Sequence, residues 1–381
     1  MSSTLRSCPQ LTPKVETTYA AGQTLNSYCS QHVPRAKELE PWRASVQEIP
    51  MKGPVAFVAG ASGLVAACAT SVEIFAGMPE SVFFLDPNRL GRGRRPGLHE
   101  VVRHIAGALG VTLFESITTL DEVRDRFRDR HIVADLDIFK DRSLGLPCLL
   151  ANEASVAYSA TGLGYLQGFL PKIMSRPQFL GLRIAQMRWI AARRLRSNGI
   201  DRFFVAAPIG RLYTLLGASV EVQGIDAGIL RATYRQAGEG VATRQGLLAT
   251  SPEVILLLPF VQGRDGHETV KRAIKFARAQ VSSGQQIWVK SHPRAKYDLR
   301  LQGFGDSVIN LDDAMGQAWP IEALLVHHPL TRLVTEASSA ALIHAPDRTT
   351  LLSTESNRRS MDSRITNSII KDLGYVKEAR L

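Results

Sequence analysis

Cysteine is scarce in this sequence, and its spacing excludes two classes of small domain. The 381 residues include only four cysteines, Cys8, Cys29, Cys68 and Cys148, with no CxxC pair and no spacing typical of a metal site. A chain with so few cysteines does not depend on disulfides, so we expect a reducing compartment. No zinc spacing or RNA-recognition signature is present, and the arginines lack interleaved aromatics, so we expect no nucleic-acid partner.

Long apolar runs are also missing. No stretch of about 18 uncharged apolar residues occurs, so no transmembrane helix is expected. The first 23 residues have no apolar core of the kind a signal peptide carries, which indicates a cytoplasmic protein. Residues 1–50 are rich in Ser, Thr, Gln and Pro and lack sustained periodicity, so we interpret them as a loose leader.

The composition is that of a globular chain with a basic surplus. Hydrophobic residues make up 45% and charged residues 21%, and 46 Lys and Arg against 35 Asp and Glu give a net charge of +11. The length favours two domains. The charge suits phosphate-rich ligands, an anionic membrane or an acidic polymer, without choosing among them.

Apolar runs of strand length alternate with helical patterns along two halves of the chain. This alternation predicts α/β architecture with parallel sheets covered on both faces. The halves join near residues 245–252, which suggests a cleft in which ligands lie at the carboxyl ends of the strands. The predicted strands are residues 55–59, 82–86, 111–113, 132–136 and 202–206 in the first half, and 254–259, 286–290, 307–311 and 324–327 in the second.

A helix is predicted over residues 178–197 from apolar side chains at helical spacing. Its other faces carry five arginines, which form either a solvated face or a patch for an anionic membrane or acidic polymer.

The segment Gly60-Ala61-Ser62-Gly63 follows the first strand and opens a helix, which is a geometry that cradles phosphate. A dinucleotide turn would have a third glycine where Ala66 stands. We therefore interpret the segment as a tight turn that lines the cleft.

Lysine and histidine end a predicted strand of the second half. Lys290, His292, Pro293 and Arg294 stand in the segment VKSHPR, where the proline stops the strand. An imidazole at this edge could donate to a phosphate oxygen or protonate a leaving group, and a structural histidine is the alternative.

Three further motifs carry hydroxyl or carboxylate groups. Ser338 and Ser339 precede an Ala/Leu-rich helix, as an anion site or an ordinary N-cap. Glu322 could accept hydrogen bonds from two ribose hydroxyls, or lie at the surface. Glu239 stands between two glycines in a predicted accessible loop, where a general base would be needed.

His327 and His328 are adjacent in a predicted strand and would therefore point to opposite faces, so no metal site is predicted there.

Taken in order, the motifs GEG (238–240), HP (292–293), PIE (320–322) and SS (338–339) resemble those of the bacterial sialyltransferases and polysialyltransferases of GT-B fold. The resemblance covers roughly residues 53 to 350. It implies two Rossmann-like domains that face each other across a cleft: an acceptor domain over residues 51–248 and a nucleotide-sugar donor domain with C-terminal helices over residues 249–381.

The resemblance also implies an activity. Sialic acid would pass from CMP-sialic acid to a hydroxyl of an acidic glycan acceptor, with inversion and without metal or other cofactor, in capsule or other surface polysaccharide synthesis. Peripheral contact with an anionic inner membrane fits the charge. The implied roles are general base for Glu239, assistance to the leaving phosphate for His292, phosphate binding for Ser338 and Ser339, ribose binding for Glu322, and nucleotide contact for Lys290 and Pro293. Ser62 and Gly63, in the turn that lines the cleft, are the candidates for the acceptor side.

One position departs from the family pattern, which has two acidic residues before the glycine. This chain has Gly238 at the first of them. If that first position carries the base, either another carboxylate such as Asp226 replaces it or the enzyme is slow or inactive. Another GT-B transferase, with a CMP-Kdo, nucleotide-diphosphate-sugar or CDP-polyol donor, is the alternative enzyme, and a catalytically inactive nucleotide- or glycan-binding protein is the alternative of another class.

Overall fold

A computed structural model shows an α/β protein with two parallel β-sheets. The leader over residues 1–50 and the arginine-bearing helix predicted over 178–197 lie outside the residues that the structure describes. The described residues are 53–85, 97–114, 130–135, 149–152, 202–205, 221–258, 264–291, 304–336, 338, 340–353 and 378–380.

The first sheet has seven strands in the order β3-β2-β1-β4-β5-β6-β7, and every neighbouring pair is parallel. Strand β1 is buried along its whole length, as expected for a strand covered on both faces. The strands are β1 (Val55–Val58), β2 (Ser81–Phe84), β3 (Thr112–Phe114), β4 (Ile132–Asp135), β5 (Leu149–Asn152), β6 (Arg202–Val205) and β7 (Glu221–Gly224).

Two helices follow β1 and β2. Helix α1 (Ala61–Phe75) is apolar on nearly all sides and lies in the core. Burial raises the pKa of its Cys68 thiol to about 12, so this thiol stays protonated and unreactive in the folded protein. Helix α2 (Leu98–Leu109) is amphipathic and ends at Gly110, whose positive φ of 70° closes a glycine C-cap.

The second sheet is wound in the same way as the first. Its six parallel strands have the order β10-β9-β8-β11-β12-β13. In each sheet the chain starts in the middle, moves outward to one edge and returns to the other side of the first strand, which defines a topological switch point. The strands are β8 (Val254–Leu257), β9 (Ile287–Lys290), β10 (Val308–Asn310), β11 (Arg332–Thr335), β12 (Thr349–Ser353) and β13 (Glu378–Arg380).

Helix α3 (Ala227–Arg244) comes between the two sheets along the chain and packs against helices of both. The Asp226 side chain accepts hydrogen bonds from the amides of Gly228 and Ile229, at 2.8 and 2.9 Å, and so caps its N-terminus. Gly246, with a φ of +66°, ends it in a Schellman turn, in which the Leu247 amide donates to the Ala242 carbonyl.

The described part of the second half adds four α-helices, α4 (Arg264–Arg278), α5 (Leu311–Met315), α6 (Glu322–Leu325) and α7 (Ala340–Ile343). Helix α4 covers one face of the second sheet, and α6 packs against α3. Residues of α1, α2, α3 and α6 share one buried apolar cluster, so the described core is continuous from one sheet to the other. No helix within the described ranges is long and apolar enough to span a bilayer.

The structure confirms the α/β prediction and the strands predicted from apolar runs, with two local exceptions. Residues 324–327 were predicted as a strand, but α6 occupies 322–325, because a short apolar run buried on all sides fits either element. The Gly-Glu-Gly segment was predicted as a loop, but it lies inside α3, where the buried side of the helix runs on through Gly238 to Val241 and Ala242.

Candidate functional site

In open α/β sheets a ligand crevice lies at the carboxyl ends of the strands beside the switch point. Each sheet has one such position, called here the first and the second crevice. In the first sheet, β1 leads through Ala59 into the Gly60–Gly63 turn beside the end of β4. In the second sheet, β8 lies between β9 and β11, so residues that follow those strands share one edge. Lys290 ends β9, and Ser338 follows β11.

The turn at the first crevice is made of backbone and small side chains. Gly60 is extended and precedes the helix, and no side chain caps this end of α1. Ser62 is half-buried and Gly63 is buried in the first helical turn. The two residues assigned to the acceptor side therefore lie at the carboxyl edge of the first sheet, as the predicted strand-to-helix turn requires.

Lys290 forms a buried ion pair at the second crevice. Its Nζ donates to Asp312 Oδ1 at 2.7 Å and to the carbonyls of Gly316 and Gln317 at 3.1 and 3.2 Å. The side chains are 5% exposed for Lys290 and 16% for Asp312. These three acceptors occupy all three N–H bonds of the ammonium, so Lys290 fastens the start of α5 and the turn after it to the end of β9.

The surroundings of this ion pair are themselves hydrogen-bonded. Asp312 Oδ2 accepts from the Ser291 amide at 3.1 Å, and the Asp312 amide donates to the Asn310 side chain, which caps α5. Burial lowers the pKa of Lys290, while the negative charges of Asp312 and Glu322 oppose that shift. The structure thus brings Lys290 and Glu322 into one electrostatic group, together with Asp312, which is not among the predicted site residues.

Glu322 is the first residue of α6 and is only 5% exposed, so the surface alternative for this residue is wrong. The next residue, Ala323, lies at the contact between α6 and α3. A Cβ on Gly238 would lie 2.9 Å from the Ala323 Cβ and closer still to its carbonyl oxygen, which is tighter than real Cβ contacts. Gly238 is therefore required by helix packing, and an acidic side chain would not fit at this position.

Glu239 is exposed on α3, one residue beyond that contact. It lies near enough to act electrostatically on His327, which follows α6. Burial lowers the pKa of His327, and a hydrogen bond to the Arg235 backbone opposes that shift. The charge of Arg235 lowers the pKa and the charge of Glu239 raises it, each by less. The sequence does not predict this proximity, because its local pattern predicts a loop at Glu239 and a strand at His327.

His327 and His328 lie in the turn after α6, so the strand argument about their directions does not apply. His328 is buried with its ring edge against Trp288, at 5.4 Å between centroids, and burial lowers its pKa. Within the described ranges no three His, Cys, Asp or Glu side chains group as they would around a metal ion.

Of the remaining predicted residues, the structure describes two and leaves three outside the described ranges. Ser338 Oγ accepts a hydrogen bond from the Ala340 amide at 3.3 Å, the N-cap arrangement that the sequence left open. Asp226, the candidate substitute base, caps α3 with its carboxylate. His292, Pro293 and Ser339 lie outside the described residues.

No protein-family model matches this chain, and no curated protein does either.

Proposed function

We propose that the chain is a GT-B glycosyltransferase that moves sialic acid from CMP-sialic acid to a hydroxyl of an acidic glycan. The observation that carries the proposal is the pair of parallel sheets wound in the same way, with Lys290 and Ser338 at the carboxyl edge of the second. A nucleotide would lie along that edge, and residues 249–381 would form the donor domain. Residues 51–248 would form the acceptor domain, with Ser62 and Gly63 lining its side of the cleft.

The chemistry assigns one task to each side of the transferred sugar. The acceptor oxygen attacks the anomeric carbon, its proton passes to the Glu239 carboxylate, and the bond from that carbon to the CMP phosphate oxygen breaks with inversion. His292 and the serine pair would stabilise the negative charge that grows on the departing phosphate. The exposure of Glu239 leaves its carboxylate accessible to an acceptor.

Glu322 has a positioning task in this proposal. Its burial near Lys290 and Asp312 holds the carboxylate in one place, as recognition of two ribose hydroxyls requires. Lys290 would act through the turn that it fastens, because its N–H bonds already have acceptors in the protein.

Thermal unfolding of the purified chain tests donor choice. We expect CMP to raise the melting temperature in a concentration-dependent way, and UDP, CDP, AMP and NAD not to, because a ligand that binds only the folded state stabilises it. His292→Ala and the double change Ser338→Ala with Ser339→Ala should weaken the CMP effect. A shift with UDP or CDP alone would contradict the CMP donor, and no shift with any nucleotide would contradict the proposal itself.

Glu239→Gln tests the base. We expect CMP to stabilise this variant as it does the wild type, while transfer to an acceptor falls by at least about a hundredfold. Glu100→Gln is the matched control, because Glu100 is also exposed on a helix of the first half. Turnover near the wild-type rate in Glu239→Gln would remove Glu239 from the mechanism.

A further inference from the structure

Helix α4 presents a basic face to solvent on the outside of the second sheet. Its inner side is completely buried and packs on β8 and β9, through Val270, Ala273, Ile274 and Ala277. The outer side chains are His267, Glu268, Lys271, Arg272, Lys275 and Arg278, all exposed. Phe276 is half-buried against the same cluster, so the apolar side of the helix faces the sheet and its charged side chains face solvent.

Three of these cations form a single row. Lys271, Lys275 and Arg278 are spaced four and three residues apart, which places them on one side of a helix and spreads them over about 10 Å along its axis. Glu268 is the acidic member of the same side and reaches the first of them, with 3.1 Å between Glu268 Oε1 and Lys271 Nζ. The row therefore keeps a net positive charge.

Shape and composition select the kind of partner. Among the described residues the row stands on one convex helix with no groove to enclose a polymer strand, and such a row can lie along a flat anionic surface. The exposed large apolar side chains of the described residues are Phe114, Leu248 and Leu330, and none is on α4. Stacking on nucleic-acid bases needs exposed aromatics, and insertion into a bilayer needs a free apolar face, and α4 offers neither.

We propose that α4 is a membrane-docking surface, on which Lys271, Lys275 and Arg278 bind the headgroups of anionic lipids by charge alone. Lysine and arginine near an anionic leaflet each add to the attraction, and salt screens it within a Debye length. The protein would then lie peripherally on the membrane, with its outer helix against the lipid and no part of α4 in the hydrocarbon. This inference stands apart from the proposed glycosyl transfer and uses none of its residues.

Binding of the full chain to vesicles tests the proposal. We expect wild-type protein to bind vesicles that contain phosphatidylglycerol, to leave phosphatidylcholine vesicles unbound, and to dissociate as salt is raised. Lys271→Gln with Lys275→Gln and Arg278→Gln should lower partitioning onto the anionic vesicles by at least about tenfold. Arg103→Gln with Arg231→Gln and Arg235→Gln removes the same charge from α2 and α3 and should lower it less than about threefold.

Each other outcome overturns the proposal. An equal loss of vesicle binding in the two triple variants would show that binding depends on net charge and not on the α4 surface. Absence of wild-type binding to anionic vesicles would exclude lipid as the partner, and α4-dependent binding of single-stranded oligonucleotide in its place would make the surface one for nucleic acid. Circular dichroism verifies that the variants fold, and if the triple variant does not, Lys275→Gln alone should still lower partitioning by about threefold.

Discussion

Asp312→Asn is expected to lower the free energy of unfolding by about 3 kcal/mol, although it changes only one atom of the side chain. The substitution leaves the Lys290 ammonium buried without a counter-charge, and it turns an amide NH₂ group toward either the Ser291 amide or the Lys290 ammonium. A buried charge that loses its partner costs more than the pair contributed. Chemical denaturation at neutral pH measures the loss.

The same variant should show a characteristic dependence on pH. Burial lowers the pKa of Lys290 in the wild type, and the charge of Asp312 opposes that shift. Without this charge, the pKa of Lys290 should be lower still in the variant. Between the folded and the unfolded pKa, the unfolded chain binds more protons at this lysine than the folded one. The contribution of Lys290 to the free energy of unfolding therefore rises with pH. We expect the difference in free energy of unfolding between Asp312→Asn and wild type to become smaller from pH 7 toward pH 10.

Two controls isolate the ion pair. Asp313→Asn removes a charge from the same turn of α5, but Asp313 is exposed and accepts a hydrogen bond only from the Asn310 side chain among the described partners, at 3.0 Å. Its cost should stay below about 1 kcal/mol. Adding Lys290→Met to Asp312→Asn should restore part of the loss, because a buried pair replaced by apolar atoms is often tolerated. Equal costs for Asp312→Asn and Asp313→Asn would mean that the pair does not stabilise the fold.

Local pattern predicted most of the described sheets but not the helix that packs between them. Strands such as β1 and β8 are continuous apolar runs, because strands covered on both faces bury every side chain. Helix α3 has no such signal at its centre, where glycines interrupt an otherwise helical segment and suggest a turn. The reason for the glycine is a tertiary contact with α6, about 85 residues further along the chain, which no local pattern contains.

The residues of the candidate site also include some that local motifs predict and one that depends on the strand order. Lys290 and Glu322 were predicted because each belongs to a short motif beside an apolar run, and the structure buries both. Asp312 was missed, although its placement just after the Asn310 cap was a readable sign that a helix begins there. Its pairing with Lys290 depends on β9 and β10 being neighbours in the sheet, which becomes visible only once the strand order is known.

Gly238→Ala is expected to destabilise the protein by about 1–3 kcal/mol, against the usual direction for such a change in a helix. Alanine normally stabilises a helix relative to glycine by roughly 0.5–1 kcal/mol. At this position the added methyl group would overlap the Ala323 backbone, so α3 and α6 must move apart. Gly240→Ala is the matched control two residues away in the same helix, where a Cβ meets nothing within 4 Å, and it should be stabilising. Denaturant unfolding of both variants measures the difference.

The opposite signs are what make this pair of variants informative. A higher free energy of unfolding in both variants would mean that α6 can move without destabilising the protein. Helix packing at Gly238 would then not explain why this chain lacks the acidic residue of the family that it resembles. A loss at 238 with a gain at 240 would show that close packing of α6 on α3 excludes a side chain there. Since Glu322 adjoins the contact, the displaced helix should also carry its carboxylate away from Lys290. A weaker stabilisation by CMP in Gly238→Ala, but not in Gly240→Ala, would then connect this packing contact with the proposed nucleotide site.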